Sequence, residues 1–586
     1  MIETDVHQQF ASYFTTGSLQ PYIYLLSKKL SEGHICIFLE DNHRQEMLAA
    51  GYEHISPWQT IKKDPLVAEG ITTRPFVLLD NRLYLQRYFN YETVIIERIK
   101  ALLEEEAEDL SSRTEALLQN QSLIKSIFDK AKDQVTNWPL AAAVSAALQN
   151  FTIITGGPGT GKTTTVAKIL AILFTINPEL TVSLTAPTGK AAARMAESLK
   201  IAGAKESGAI KEKFDALEPA TIHRILGYIP RSPYFKHNKS NPLKTDLLIV
   251  DESSMIDAAL FAKLLDAIGP GTKLILLGDK DQLASVEAGS LFGDLCQAQP
   301  INQFSAERTS LINSFITEPL QQLPAAGNNN TQHPLFQHVI GLQKSYRFSD
   351  DKGIGKFSKA IIQNQPIILS EFFSGRDEQV TLDDSYSETL FQDFISGYEA
   401  YIKETDIALG IRKFNELRVL CAVRSGEQGL YALNKKIEQF LQAKKWIRFT
   451  GEFYQHRPIM VTSNHYELQL FNGDTGIIRE DENGQLKAWF ETTEGGVRAV
   501  SPGYISQCET TFAMTIHKSQ GSEFEQLLVV LPKSEKMGLL TRELLYTAVT
   551  RAKSKLIVQG KEELLIKMAA TTVQRGSGII NRFNKI

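Results

Sequence analysis

Only four cysteines occur in the chain, Cys36, Cys296, Cys421 and Cys508, and none stands in a CxxC pair. That spacing excludes a disulfide scaffold and speaks against a cysteine-ligated zinc or iron–sulfur site. No apolar run approaches the roughly 20 residues that a membrane span needs. The opening MIETDVHQQF also lacks a basic stretch followed by an apolar one. An excess of one charge is missing too: 63 basic against 67 acidic residues leave a formal net charge of −4. A nucleic-acid site would then be a local groove and not a basic surface. What is left is an ordinary globular composition, 43% apolar and 22% charged, in 586 residues. These bounds lead us to expect a cytoplasmic, multidomain protein with several cores.

The first hundred or so residues carry short strand-like runs (Ile35 to Leu39, Pro75 to Leu79) between amphipathic stretches, with no catalytic spacing. They end in an acidic run, Glu104 to Glu106 with Glu108 and Asp109, which reads as a solvated helix face before a linker. From about Gln134 short apolar runs alternate with helical patterns: Phe151 to Thr155, Thr181 to Thr185, Leu247 to Val250, Lys273 to Leu277. That alternation predicts a parallel sheet covered on both faces. A polar stretch from Glu318 to Pro334 reads as a loop or linker, and a second α/β pattern follows (Arg418 to Ala422, Leu527 to Leu531, Leu556 to Val558). Within it, strands near Pro458, Thr475, Leu486 and Val497, with Asn-Gly turns, predict a small inserted β-barrel.

Chemistry begins at Gly156-Gly157-Pro158-Gly159-Thr160-Gly161-Lys162-Thr163, which follows the run FTIIT and opens a helical run from Thr163 onward. Glycines let backbone N–H groups turn around phosphate oxygens, and the helix N-terminus adds positive potential. Lys162 would reach the β and γ phosphates of ATP, and the Thr163 hydroxyl would ligate Mg²⁺. In LLIVDESS, Asp251 at the strand end would hold the Mg²⁺ through water, and Glu252 would act as general base on the attacking water.

Six further segments occur in a telling order: TAPTGKAA from Thr185, TIHRILG from Thr221, LLGDKDQLASVEAGS from Leu276, KSYRF from Lys344, TIHKSQGSEF from Thr515 and LLYTAVTRAK from Leu544. With the phosphate loop they resemble the motif set of superfamily 1 DNA helicases, and in detail the RecD branch, over about Asn137 to Lys553. The resemblance implies two RecA-like motor domains with an inserted SH3-like barrel, driven by ATP and Mg²⁺, acting on single-stranded and double-stranded DNA with 5′-to-3′ polarity. It implies that Gln282 senses the γ-phosphate, that Arg347 and Arg551 reach across the cleft from the second motor domain, and that Glu523 lies near the ribose. Gly156 to Thr164 would form the nucleotide-binding loop. Thr188, Gly189, Lys190, His223, Thr515, His517 and Lys518 would line the DNA path. Tyr228 to Pro242 would form a basic hairpin able to separate strands, although the residues alone read equally well as a plain basic loop.

The expected domains are 1–115, 116–335 with a hairpin at about 228–243, and 336–586 with the barrel at about 445–508. EGHICIF (from Glu32) and DNRLYLQRYF (from Asp80) resemble the N-terminal domain of RecD chains that work in a RecBCD-type exodeoxyribonuclease V. That implies RecB-like and RecC-like partners, docking on the latter, with DNA cutting done by a partner. One departure stands out: where relatives carry an adenine-reading glutamine, this chain has Asn137-Trp138-Pro139. Proline has no side-chain donor or acceptor, which predicts weaker adenine discrimination; Gln134, five residues upstream, substitutes only if the segment folds differently. Two other readings compete. One is a transport- or kinase-type ATPase, since Ser425 to Gly429 nearly matches a transporter signature; the other is a structural clamp with a decayed ATPase, which the intact Lys162, Asp251 and Glu252 oppose.

Overall fold

The computed structural model describes residues 5–14, 17–40, 43–128, 135–325, 333–374, 377–465, 467–492, 496–534 and 538–584. Apolar runs too short for helices build a six-stranded sheet in the order Val339–Leu342, Phe151–Gly156, Lys273–Gly278, Leu247–Val250, Val182–Ala186, Ala220–Thr221. Every pairing in it is parallel. Helices cover both faces, so its central strands are buried on both sides instead of alternating; all four residues of Leu247–Val250 are apolar and buried. Helices Trp138–Leu148 and Lys162–Ile176 fill one face and helix Ala258–Asp266 the other.

A second parallel sheet has the order Val380–Asp383, Ala552–Gln559, Phe524–Val530, Leu417–Cys421, Ala513–Thr515. The two sheets are the RecA-like lobes that the motif order implied. Into the second lobe is inserted an antiparallel sheet, Val497–Val500, Leu486–Glu491, Thr475–Glu480, Pro458–Val461, Cys508–Thr510. Its two outer strands do not pair with each other among the described residues, so it is a five-stranded meander around a core of its own. A small four-stranded sheet lies at the N-terminal end.

Several boundaries differ from the sequence expectation. Helix Gln86–Gln119 runs unbroken through residue 115 and packs on the first lobe. The acidic run on it is not wholly solvated: Glu106 is buried and accepts from the Asn150 N–H at 2.9 Å, so a charged residue serves as an internal acceptor. Strand Val339–Leu342 pairs with Phe151–Gly156 and thus belongs to the first lobe, beyond residue 335. The chain also returns there at its far end, where Ile579 and Phe583 are fully buried in the first lobe's core. Of the supposed linker, the described part is packed: Leu323 is buried, and Gln321 accepts from the Asn137 N–H at 2.8 Å. Residues 326–332 and Gln134 lie outside the described residues.

Candidate active site

Three neighbouring strands end side by side, and their register decides what meets at that edge. Thr155 pairs with Gly278 and Val250 with Leu276, so the phosphate loop, Asp251 and Asp279 all emerge at carboxyl ends. Gly159 turns the loop with φ +76°, and a Cβ there would collide with the Cβ of Arg347. A Cβ on Gly157 would lie 2.8 Å from the Tyr546 hydroxyl, which comes from the second lobe. Gly161 precedes helix Lys162–Ile176, whose first N–H groups face the loop. The Lys162 ammonium donates to the carbonyls of Gly156 (2.6 Å) and Gly157 (3.3 Å).

The carboxylates sit in costly surroundings. Burial, with Glu252 alongside, pushes Asp251 up to about 6, while Lys162 pulls it back. Burial likewise pushes Asp279 up to about 6 against the pull of Lys162. Glu252 holds a left-handed backbone, φ +50°, uncommon for a residue with a side chain and of the kind that clusters at functional sites.

The second lobe closes this edge. Arg551 is buried; its Nη2 donates to Gln282 Oε1 at 2.5 Å, and Gln282 Nε2 donates to Asp279 at 3.0 Å. Tyr546 donates to the same Asp279 carboxylate at 3.2 Å. Arg347 enters differently from the expectation. It lies in the connection between the two lobes, after the first-lobe strand Val339–Leu342, and not in the second sheet. That connection is pinned to the phosphate loop, with Tyr346 N–H donating to Gly159 O at 2.8 Å and Ser345 Oγ to Pro158 O at 3.1 Å. Arg347 pairs with Glu523 at 2.6 Å, and Arg194 approaches the same carboxylate at 3.4 Å. Burial raises Glu523, but Arg194 and Arg347 outweigh it and hold the carboxyl below its usual range. Glu523 is thus an ion-pair hub between the lobes.

The residues expected along the DNA path are spread out and already engaged. Thr188 caps helix Gly189–Gly203 by accepting from Ala191 N–H at 3.2 Å. Phe471, on a turn of the inserted sheet, lies 3.8 Å from where a Gly189 Cβ would be. Lys518 donates to Asn472 of that same turn at 2.8 Å, and its backbone N–H to Thr515 Oγ1 at 3.4 Å. Burial and the nearby Arg194 pull Lys190 down to about 8. Burial also lowers His517, which lies one residue before Lys518. His223 is exposed and meets Phe235 edge-on, with ring centroids 5.6 Å apart. Phe235 belongs to the insertion after Gly227, which closes through bridges Tyr228–Phe235 and Asn238–Asn241 and leaves Tyr234 73% exposed.

Known proteins match this arrangement. A family model for an AAA domain covers residues 140–288, and one for a UvrD-like helicase C-terminal domain covers residues 510–559. The RecBCD enzyme subunit RecD of Haemophilus influenzae is 34% identical over 574 residues, spanning 90% of this chain and 85% of that one. The subunit of the same name from Mycobacterium tuberculosis is 33% identical, spanning 94% of this chain and 89% of that one. The chain belongs to the RecD family. The ATP-dependent RecD2 DNA helicase of Deinococcus radiodurans is 28% identical, but this RecD-family chain spans only 55% of it. Among solved structures, Bacteroides Pif1 bound to ssDNA matches with a TM-score of 0.38 at 15% identity, over 77% of this chain and 96% of that one. A likeness that low carries no part of the assignment.

Sequence reasoning had passed over several residues of the RecD-family cleft. Tyr546 touches both the phosphate loop and Asp279, Arg194 shares Glu523, and the Thr547 hydroxyl accepts from Leu283 N–H at 2.8 Å. Tyr546 and Thr547 stand inside the LLYTAVTRAK segment, five and four residues before Arg551, so the signal was present there. Nothing in the sequence marked Arg194. The cleft also fits a polyanion bound with a divalent cation. Arg347 Nη1 is buried with no hydrogen-bond partner among the described residues, and the carboxylates of Asp251 and Asp279 stand beside the loop at raised pKa. No cluster of three or more His, Cys, Asp or Glu side chains suited to a metal occurs among the described residues.

Proposed function

We propose that this chain is the ATP-driven 5′-to-3′ DNA helicase subunit of a RecBCD-type exodeoxyribonuclease V, the alpha subunit, serving double-strand break repair and recombination. The observation that carries the reading is the bridge from Arg551 through Gln282 to Asp279, which joins the lobes directly beside Lys162.

In the proposed cycle, the loop amides from Gly156 to Thr164 hold the phosphates, and Lys162 exchanges its two loop carbonyls for phosphate oxygens. Thr163 and Asp251 would hold Mg²⁺, which neutralises phosphate charge when bound. Glu252 takes the proton of the attacking water as general base. Arg347 and Arg551 place positive charge where it grows on the transferring phosphoryl group. When the phosphate leaves, Gln282 changes partners and the Arg551 bridge loosens, so the lobes part. Thr188 to Lys190 and His223 grip DNA from the first lobe, and Thr515 to Lys518 from the second, so each opening advances one grip past the other.

We further assign the N-terminal domain to docking on a RecC-like partner and DNA cutting to a RecB-like one, within the cytoplasm. No described helix is long and apolar enough to cross a membrane. The test is a strand-polarity unwinding assay on the chain co-purified with both partners. Unwinding from 5′ overhangs that disappears in Lys162→Ala is expected; unchanged unwinding in that variant, or hydrolysis indifferent to single-stranded DNA, would overturn the reading.

A further inference from the structure

The segment after helix Glu562–Ala570 leaves the second lobe and crosses to the first. At its start, Thr571 O accepts from Arg542 N–H at 2.7 Å, and Val573 N–H donates to Glu543 at 3.0 Å. A few residues on it is bound to the N-terminal region. Gly576 N–H donates to His34 Nδ1 at 2.8 Å, and Gly576 O accepts from Ile35 N–H at 2.9 Å. Ser577 Oγ donates to Asp294 at 2.6 Å, and Gly578 N–H donates to the fully buried Glu92 at 2.7 Å. Arg582 pairs with the same Glu92 at 2.9 Å.

Arg575 sits where these bodies meet. A Cβ on Gly33 would stand 2.9 Å from its Cζ, so the side chain is pressed against the N-terminal domain's turn. Its Nη1 lies 3.3 Å from Glu287 O and 3.5 Å from Ser285 Oγ. Its Nε is buried with no hydrogen-bond partner among the described residues, a cost that packing alone would select against.

The loop it touches begins at Gln282. That end is held by the second lobe: Gln282 by Arg551, and Leu283 by Thr547 at 2.8 Å and by Gln520 at 2.9 Å. The other end is held by the N-terminal domain, where Gly289 N–H donates to Gly33 O at 3.0 Å. Ser285 closes the loop on itself by donating to Glu287 O and Gly289 O at 2.9 and 2.8 Å. Arg575 is the one side chain of the crossing segment that reaches this loop in the hydrogen-bond network among the described residues.

We infer that Arg575 is a positioning residue for hydrolysis: it fixes Ser285 to Gly289 so that Gln282 stays engaged with Arg551. Because it is carried by the segment that also binds His34, Ile35 and Glu92, displacement of the N-terminal domain reaches the ATP cleft through it. The inference rests on the reading of Gln282 and Arg551 as parts of the ATP machinery. The test measures ATP hydrolysis by the full chain with saturating single-stranded oligonucleotide. Arg575→Ala should lower kcat roughly threefold to tenfold with KM for ATP nearly unchanged, within the range seen for coupling through residues that touch no ligand. Arg575→Lys, which keeps one donor, should recover part of the loss. Ser577→Ala removes an anchor of the same segment without touching the loop and should keep its kcat. Full kcat in Arg575→Ala, or an equal fall in Ser577→Ala, would overturn the inference. Gln282→Ala separates the two levels: if it is impaired while Arg575→Ala is not, only the inference fails; if it hydrolyses at full rate, the sensor reading fails and takes the inference with it.

Discussion

The ATP cleft and the groove proposed to hold DNA are built differently. In the cleft, side chains from distant segments already meet one another: Arg551 meets Gln282, Arg347 meets Glu523, and Tyr546 meets Asp279. In the groove, two of the residues proposed to meet DNA are held by protein partners that a phosphate backbone would have to replace. Thr188 caps its helix, and Lys518 is held by Asn472. The difference teaches where rigidity is needed. Catalysis gains from groups fixed before the reaction, whereas a groove that must grip and release gains from contacts that exchange at little net cost.

The largest effects should therefore fall on hydrolysis and spare DNA binding. Arg551→Ala should lower DNA-stimulated kcat by about 10³-fold or more, the usual scale for such an arginine. Lys162→Ala should cost roughly 10²-fold to 10³-fold, as loss of one preorganised donor does. Steady-state hydrolysis and oligonucleotide binding, measured on the same preparations, check both. A matching loss of DNA affinity would erase the contrast between the two regions.

Groove substitutions should show the reverse pattern. Lys518→Ala should weaken single-strand binding and reduce the slope of log affinity against log salt by about 1, leaving hydrolysis without DNA unchanged. A salt titration of binding decides this.

The smallest effect concerns pH. Burial and Arg194 pull Lys190 down to about 8, so in the free protein its charge fades between about pH 7 and 9. DNA phosphates favour the charged form, so binding takes up a proton there, and affinity should fall as pH rises through that window. Lys190→Met should flatten the dependence, which binding isotherms at pH 7 and pH 9 would reveal.

The same contrast explains what could be read from the sequence. The cleft was legible because its parts are local: a strand, a glycine-rich turn and a helix fix Lys162, and an apolar strand fixes Asp251. Which segments face each other could be inferred only from motif order, and side chains outside the motifs, such as Arg194, carried no mark. Strand Val339–Leu342 was missed because a four-residue apolar run beside a polar stretch has no period to distinguish it. Glu106 was misread because local charge says nothing about an acceptor needed by Asn150 across the fold. In the groove, neither Phe471 nor Asn472 announced that the inserted sheet would lie against Gly189 and Lys518.

A double-mutant cycle between Gln282 and Arg551 tests most directly whether both lobes complete one ATP cleft. Gln282→Ala, Arg551→Ala and the double variant are compared by DNA-stimulated kcat. If the pair acts as one unit, the double variant should lose little more than Arg551→Ala alone. Losses that simply multiply would show two independent side chains and contradict the account.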